Sequence, residues 1–248
     1  MPPSAEPPRR PGARRALGIA AAALALVTAA WLGRAWRSGI DLRGLLAGPE
    51  AQARAALLGL RTARLEGLAG VGAAQLDRLR LAELQVSAAG GEARALAVAE
   101  AEGTVDWPGG RAALSYVGRE AITLRPCGLG RWCPAGPPLP ALAGVLEVLL
   151  RRALAFERRD PAGYALLISD AYAGPGGKAA LLSRLAEDLG RAPPAALRIL
   201  GWQIRVERDR AVVGEDYELA LGGAAPARLR ARFALTREGE RWLIVDGL

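Results

Sequence analysis

From residue 200 to residue 235 apolar and polar side chains alternate with a period of two, a pattern that suits half-buried strands and no helix. Leu200, Trp202, Ile204 and Val206 alternate with Gly201, Gln203, Arg205 and Glu207. A tight turn at Arg208-Asp209 leads to Val213, Glu215, Tyr217 and Leu219 on one face, with Asp216 and Glu218 on the other. Beyond Gly222-Gly223, Leu229, Ala231, Phe233 and Leu235 alternate with Arg228, Arg230 and Arg232, and a last strand covers Trp242–Val245. If both turns are tight, register follows by counting. Ile204 then faces Val213, and Trp202 faces Glu215. On the next pair Tyr217 faces Ala231, Glu215 faces Phe233, and Glu218 and Asp216 meet Arg230 and Arg232.

Four prolines in Pro134–Pro140 exclude helix and central strand there, so residues 134–140 are expected to link two modules. Upstream, residues 49–133 read as a helix over 49–66, with Leu60 onward open to an extended form. A β-meander follows over Leu79–Ser87, Ala93–Val105, Ala112–Val117 and Ala121–Leu124, with hairpin signals at Gly90-Gly91 and Pro108-Gly109-Gly110. Downstream, Pro140 opens a helix whose stripe is Leu142, Leu146, Leu149, Ala153 and Phe156. Asp160-Pro161 caps a second helix running to about Tyr172, and a third carries Leu181, Leu185 and Leu189 and ends at Gly190. Leu79-Arg80-Leu81, Gln85-Val86, Ala93 and Glu100 return at a constant offset of 118 as Leu197-Arg198-Ile199, Gln203-Ile204, Ala211 and Glu218. Duplication and shared strand composition both produce such a pattern.

Three helices followed by a four-stranded meander ending in RWLIVDGL resemble the nuclear transport factor 2-like superfamily over residues 140–248, the domain itself being expected over 141–248. The resemblance implies a curved four-stranded antiparallel sheet wrapped around three helices, a cone with an apolar pocket. The expected class is therefore α+β: an N-terminal single transmembrane helix, the small helix-plus-meander module, then the cone.

The transmembrane expectation rests on Ala16–Gly33, an uncharged run of 18 residues that spans about 27 Å as a helix. Residues 1–15 form a basic tail, expected in the cytoplasm by the positive-inside rule, and residues 34–48 a juxtamembrane linker. A cleaved signal peptide ending near Thr28-Ala29-Ala30 is the rival reading, and both export the rest of the chain. Residues 1–37 hold +5 of the formal +8, so the net charge does not mark a nucleic-acid partner. Cys127 and Cys133 flank CGLGRWC, and a disulfide there, worth roughly 2 kcal/mol, agrees with export.

The chain has no histidine, which excludes Ser-His-Asp, Cys-His and His-ligated zinc chemistry. No cofactor or metal is expected. The candidate ligand-binding residues are Trp202, Glu215, Tyr217 and Phe233 on the inward face, with Asp170 as a second acid. An unpaired Glu215 among aromatics would have a raised pKa and act as a base beside Tyr217, as pocket acids and tyrosines do in the enzymes of the resembled superfamily. Alternatively Glu215 is solvated or paired with an arginine, and Tyr217 is a core aromatic. The first reading of function is a non-catalytic binding or assembly module of the bacterial envelope, in the inner membrane with its domains periplasmic. It would bind an envelope protein partner or a small apolar ligand, in a layout similar to the bridging subunits of type IV secretion systems. A lyase or isomerase using Glu215 and Tyr217 is the second reading, and a structural spacer the third.

Overall fold

The computed structural model describes residues 48–128, 130–191, 195–222 and 224–248. Helix α1 (Pro49–Gly59) leads into β1 (Ala63–Leu68), β2 (Gly72–Ala89), β3 (Glu92–Trp107), β4 (Gly110–Gly128) and β5 (Arg131–Pro134). Then come α2 (Pro140–Glu157), α3 (Pro161–Ala165) and α4 (Gly177–Arg191). The last four strands are β6 (Ala195–Glu207), β7 (Arg210–Leu221), β8 (Ala227–Glu238) and β9 (Arg241–Asp246).

The expected architecture of a small meander module beside a separate four-stranded cone is corrected here. All nine strands belong to one mixed sheet, ordered β1-β2-β3-β4-β6-β7-β8-β9 with β5 paired to β4. The junction is parallel: Ala113–Gly118 of β4 pair with Gly201–Val206 of β6. An exposed β4 edge would leave backbone donors and acceptors without partners, and β6 supplies them. Parallel pairing requires a long crossover, which the segment carrying α2, α3 and α4 provides. Among the described residues no helix is long and apolar enough to cross a membrane. The expected span at 16–33 lies outside the described residues.

Local expectations fare unevenly. The first helix stops at Gly59, because Leu65 and Leu68 are buried by pairing with β2 instead. Asp160 does cap α3, accepting from the Gly163 amide at 2.8 Å, but that helix ends at Ala165. The β6–β7 register is as counted, with Ile204 opposite Val213 and Trp202 opposite Glu215. The β7–β8 register is displaced by two residues: Tyr217 faces Leu229, Glu215 faces Ala231, and Val213 faces Phe233. Each β8 partner lies two residues nearer the turn than counted, and the ladder closes at Leu219↔Ala227, just after Pro226, which has no amide hydrogen to pair. A shift of two preserves every face, which is why the inward and outward sets survive.

The recurrence at offset 118 reappears as geometry. Leu79↔Ala101, Arg80↔Glu100, Leu81↔Ala99 and Val86↔Ala95 in β2–β3 have counterparts Leu197↔Leu219, Arg198↔Glu218, Ile199↔Tyr217 and Ile204↔Val213 in β6–β7. Each ladder shifts register in the same stretch, between Ala82 and Gln85 in the first and between Ile199 and Gly201 in the second, and the arginine–glutamate pair forms in each. The two halves of the sheet are thus a structural repeat. Helix α1 packs on Leu84, Ala93, Ala95, Ala97, Ile122 and Leu124, while α2 lies over a core that runs across both halves, from Leu76 and Leu114 to Trp202, Ile204, Val213 and Phe233.

Helix α2 is buried on most of its surface, and its N-cap residue, Leu139, offers no side-chain cap. Glu120 of β4 supplies one from a distance. Its carboxylate accepts from the Ala141 amide at 2.8 Å, the Leu142 amide at 3.1 Å and the Tyr116 hydroxyl at 2.6 Å. A carboxylate at a helix N-terminus satisfies orphan amides and opposes the positive end of the dipole. Burial nonetheless raises the Glu120 pKa above its ordinary value, against those hydrogen bonds. The folded state therefore holds a proton that the unfolded chain has already released. Stability from this group is complete below about pH 4.3 and falls as pH climbs through the raised folded value. Urea unfolding midpoints taken across mildly acidic pH should decline in the wild type, and Glu120→Gln should flatten that slope. Glu120→Ala, which strands two amides, should cost about 2–4 kcal/mol at any pH.

Candidate functional site

The inward alternation of β6, β7 and β8 points Trp202, Glu215, Tyr217 and Phe233 toward the helices. Glu215 is buried, with its side chain 1% exposed. It is not the unpaired carboxylate that would serve as a base. Arg152, from the middle of α2, donates Nη2 to Glu215 Oε1. The Trp202 indole donates Nε1 to Glu215 Oε2 at 2.7 Å. Both carboxylate oxygens are therefore engaged by protein donors.

Arg152 also stacks its guanidinium 4.6 Å from the centre of the Phe233 ring. Burial opposes its charge, but the Glu215 carboxylate and the Tyr164 hydroxyl hold its pKa above the ordinary arginine value. Its Nε is buried without a partner among the described residues. The arrangement is an ion pair clamped between two aromatic rings, and it forms one wall of a cleft.

That cleft has a volume of about 350 Å³. Phe156, Leu181, Leu185, Leu197, Leu219 and Phe233 give it an apolar lining, and Arg152, Glu215, Tyr164 and Tyr217 add polar atoms. Arg184 and Asp188 of α4 also line it. Of the five expected residues, Glu215, Tyr217 and Phe233 line the cleft. Trp202 lies beneath it in the core and acts through Glu215. Asp170 does not line it: its side chain is 97% exposed and bonded at 2.8 Å to Lys178, which lowers its pKa.

Arg152 is the site residue that sequence reasoning missed, although a signal was present. It follows Leu149 by three positions and precedes Phe156 by four, so it sits within the apolar stripe of α2. An arginine inside such a stripe requires a buried anion, and Glu215 is the inward carboxylate of the facing strands. Cys127 and Cys133 are disulfide-bonded, closing the β4–β5 hairpin. Trp132 of that hairpin donates to Gln52 of α1 at 3.1 Å. Among the described residues no cluster of acids and cysteines has metal-binding geometry.

No protein-family model matches this chain, and no curated protein matches it. Solved structures similar to a segment of it are nuclear transport factor 2-like proteins. One, of unknown function, from Pseudomonas putida KT2440, is 18% identical over 43% of this chain and 83% of its own, with a TM-score of 0.40. A candidate dehydratase of the same family from Streptomyces avermitilis is 15% identical over 43% of this chain and 92% of its own, TM-score 0.39. A candidate calcium/calmodulin-dependent protein kinase type II association domain from Thiobacillus denitrificans is 21% identical over 41% and 89%, TM-score 0.38.

The pairing makes Glu215→Gln a costly substitution. Removing one partner leaves the Arg152 charge buried and uncompensated, which costs about 3–5 kcal/mol. Chemical denaturation should show that loss for Glu215→Gln, and a smaller one for Arg152→Met combined with Glu215→Gln. Trp202→Phe, which keeps an aromatic ring but loses part of the indole volume and frees Oε2, should cost about 1–3 kcal/mol. Trp202→Ala should cost about 3–5 kcal/mol.

Proposed function

We propose that this chain is a non-catalytic binding module that takes a small, largely apolar ligand in the cleft between α2, α4 and the inner face of β6–β8. The observation that carries this reading is the engagement of both Glu215 oxygens. A general base needs a free oxygen within reach of a substrate proton, and here Arg152 and Trp202 occupy the two. An ion pair in that position orients groups and sets polarity at one wall, while the leucines and phenylalanines supply the contact area.

The repeat supports a role beyond holding the sheet together. By register, the counterparts of Trp202, Glu215 and Phe233 in the first half are Leu84, Ala97 and Ile122, all buried in the core beneath α1. Leu84 and Ala97 fall in the β2–β3 register shift and carry no charge, and no buried arginine–carboxylate pair forms there among the described residues. A buried ion pair is weak as a source of stability, so its presence in one half fits a function of that half's open cleft. The Cys127–Cys133 disulfide supports an oxidising compartment for the chain.

Full-length protein titrated with 1-anilinonaphthalene-8-sulfonate should quench tryptophan fluorescence saturably, since Trp202 lies directly beneath the cleft. Ala231→Phe, which fills the cleft from β8, should abolish that signal while the circular dichroism spectrum is retained. Quenching unchanged by Ala231→Phe would remove this reading. Alkylation of unreduced, denatured protein from its native source should label neither Cys127 nor Cys133; full labelling would remove the oxidising compartment.

A further inference from the structure

The opposite face of the sheet holds a recess of about 760 Å³ that shares no lining residue with the cleft. Ser115 of β4, Gln203 and Arg205 of β6, Val212 and Gly214 of β7 and Arg232 of β8 line it, with Glu207 and Arg210 at the β6–β7 turn. A neighbouring depression extends it past Val117 to Val98, Arg119 and Arg208. Elsewhere on this face arginines are matched by acids on the adjacent strand: Arg78 with Glu102, Arg80 with Glu100, Arg198 with Glu218 and Arg230 with Asp216.

Inside the recess Arg210 stands opposite Glu207, but Arg205 and Arg232 have no acid as a register partner. The cross-strand neighbours of Arg205 are Val117 and Val212, and the β7 neighbour of Arg232 is Gly214. Arg119, Arg205, Arg210 and Arg232 form no ion pair among the described residues. Val117 and Val212 remain 40% and 36% exposed on the floor. Gly214 is not required by sterics, for a Cβ there would meet Gln203 Cβ at an ordinary 3.8 Å. A β-branched residue would suit the strand better, so the missing side chain leaves a space rather than relieving a clash.

We propose that this recess is a docking groove for an acidic, extended segment of a partner protein, whose carboxylates pair with Arg205 and Arg232 and whose apolar side chains rest on Val117, Val212 and Gly214. The two arginines stand on strands flanking β7 and are offset by two residues along it, so their backbones are about 12 Å apart, a distance that an extended segment covers in about four residues. A second copy of this chain is a poor occupant, because a two-fold contact through this face places arginines against arginines. A bilayer cannot reach valines at the bottom of a recess. Nucleic acid lacks the aromatic surfaces on which bases stack, none of which line the groove.

The test uses full-length protein and a fluorescent peptide of alternating glutamate and valine, followed by anisotropy. Saturable binding is expected, weakened by about tenfold or more in Arg205→Glu with Arg232→Glu. Gly214→Val, which fills the floor without altering charge, should also weaken it. Arg78→Glu with Arg80→Glu, on the same face outside the groove, should change it by less than about twofold. If the first pair of reversals fails to fold, Arg205→Gln with Arg232→Gln replaces it. Absence of saturable binding, equal loss in the Arg78/Arg80 variant, or indifference to Gly214→Val overturns the proposal. So does tighter binding of oligothymidylate or of anionic vesicles with the same arginine dependence, or a wild-type dimer that Arg205→Glu dissociates. Cleft binding of the dye is read separately, so loss of one site leaves the other standing.

Discussion

The parallel pairing of Ala113–Gly118 with Gly201–Val206 is the contact on which the rest of this structure depends. Without it the chain would be two antiparallel sheets, each with an open edge. With it, β4 becomes a central strand, and the segment that returns the chain to β6 must cross the sheet. That segment carries α2, α3 and α4, so the pairing also determines that three helices lie over one face. Glu120, on β4 just past the junction, then reaches the start of α2 and caps it. One strand thus joins the two halves and anchors the helix that lies over the core running across both.

The two halves share a register but bury different chemistry. Beneath α1 the first half packs alanine, leucine and isoleucine, a set that needs no polar partner. In the second half Glu215 and Trp202 replace Ala97 and Leu84, and α2 brings an arginine into the same layer. The added groups satisfy one another, yet they leave a cleft rather than a sealed core. A buried charge pair contributes little to stability on balance, so the site is better understood by what it presents than by what it holds together.

The two faces of the second half divide cleanly because a strand alternates. Val213 and Glu215 point to the helices, while Val212 and Gly214 point away. The cleft and the arginine groove are therefore separated by one sheet thickness and share no lining side chain except through the backbone between them. Substitutions on either face can be read independently, provided that they avoid the tightly packed aromatics.

Alternation, the β6–β7 turn and the Asp160 cap of α3 were local properties, and the sequence alone determined them. The inward set of Trp202, Glu215, Tyr217 and Phe233, the β6–β7 register, the Cys127–Cys133 pair and the start of α2 at Pro140 all followed from neighbours a few residues apart. The repeat at offset 118 was legible as well, although only pairing showed that it is geometric. Tertiary structure decided the rest. The union of two expected modules into one sheet depends on an edge of β4 that no periodicity marks as open or closed. The pairing of Glu215 with Arg152 joins positions 63 residues apart, and the capping of α2 by Glu120 joins a strand to a helix 21 residues on. Asp170 lay close enough in sequence to suggest a second pocket acid, but the short α3 turned it to solvent and Lys178. Local periodicity specifies which way a side chain faces; only the packed chain specifies what stands opposite.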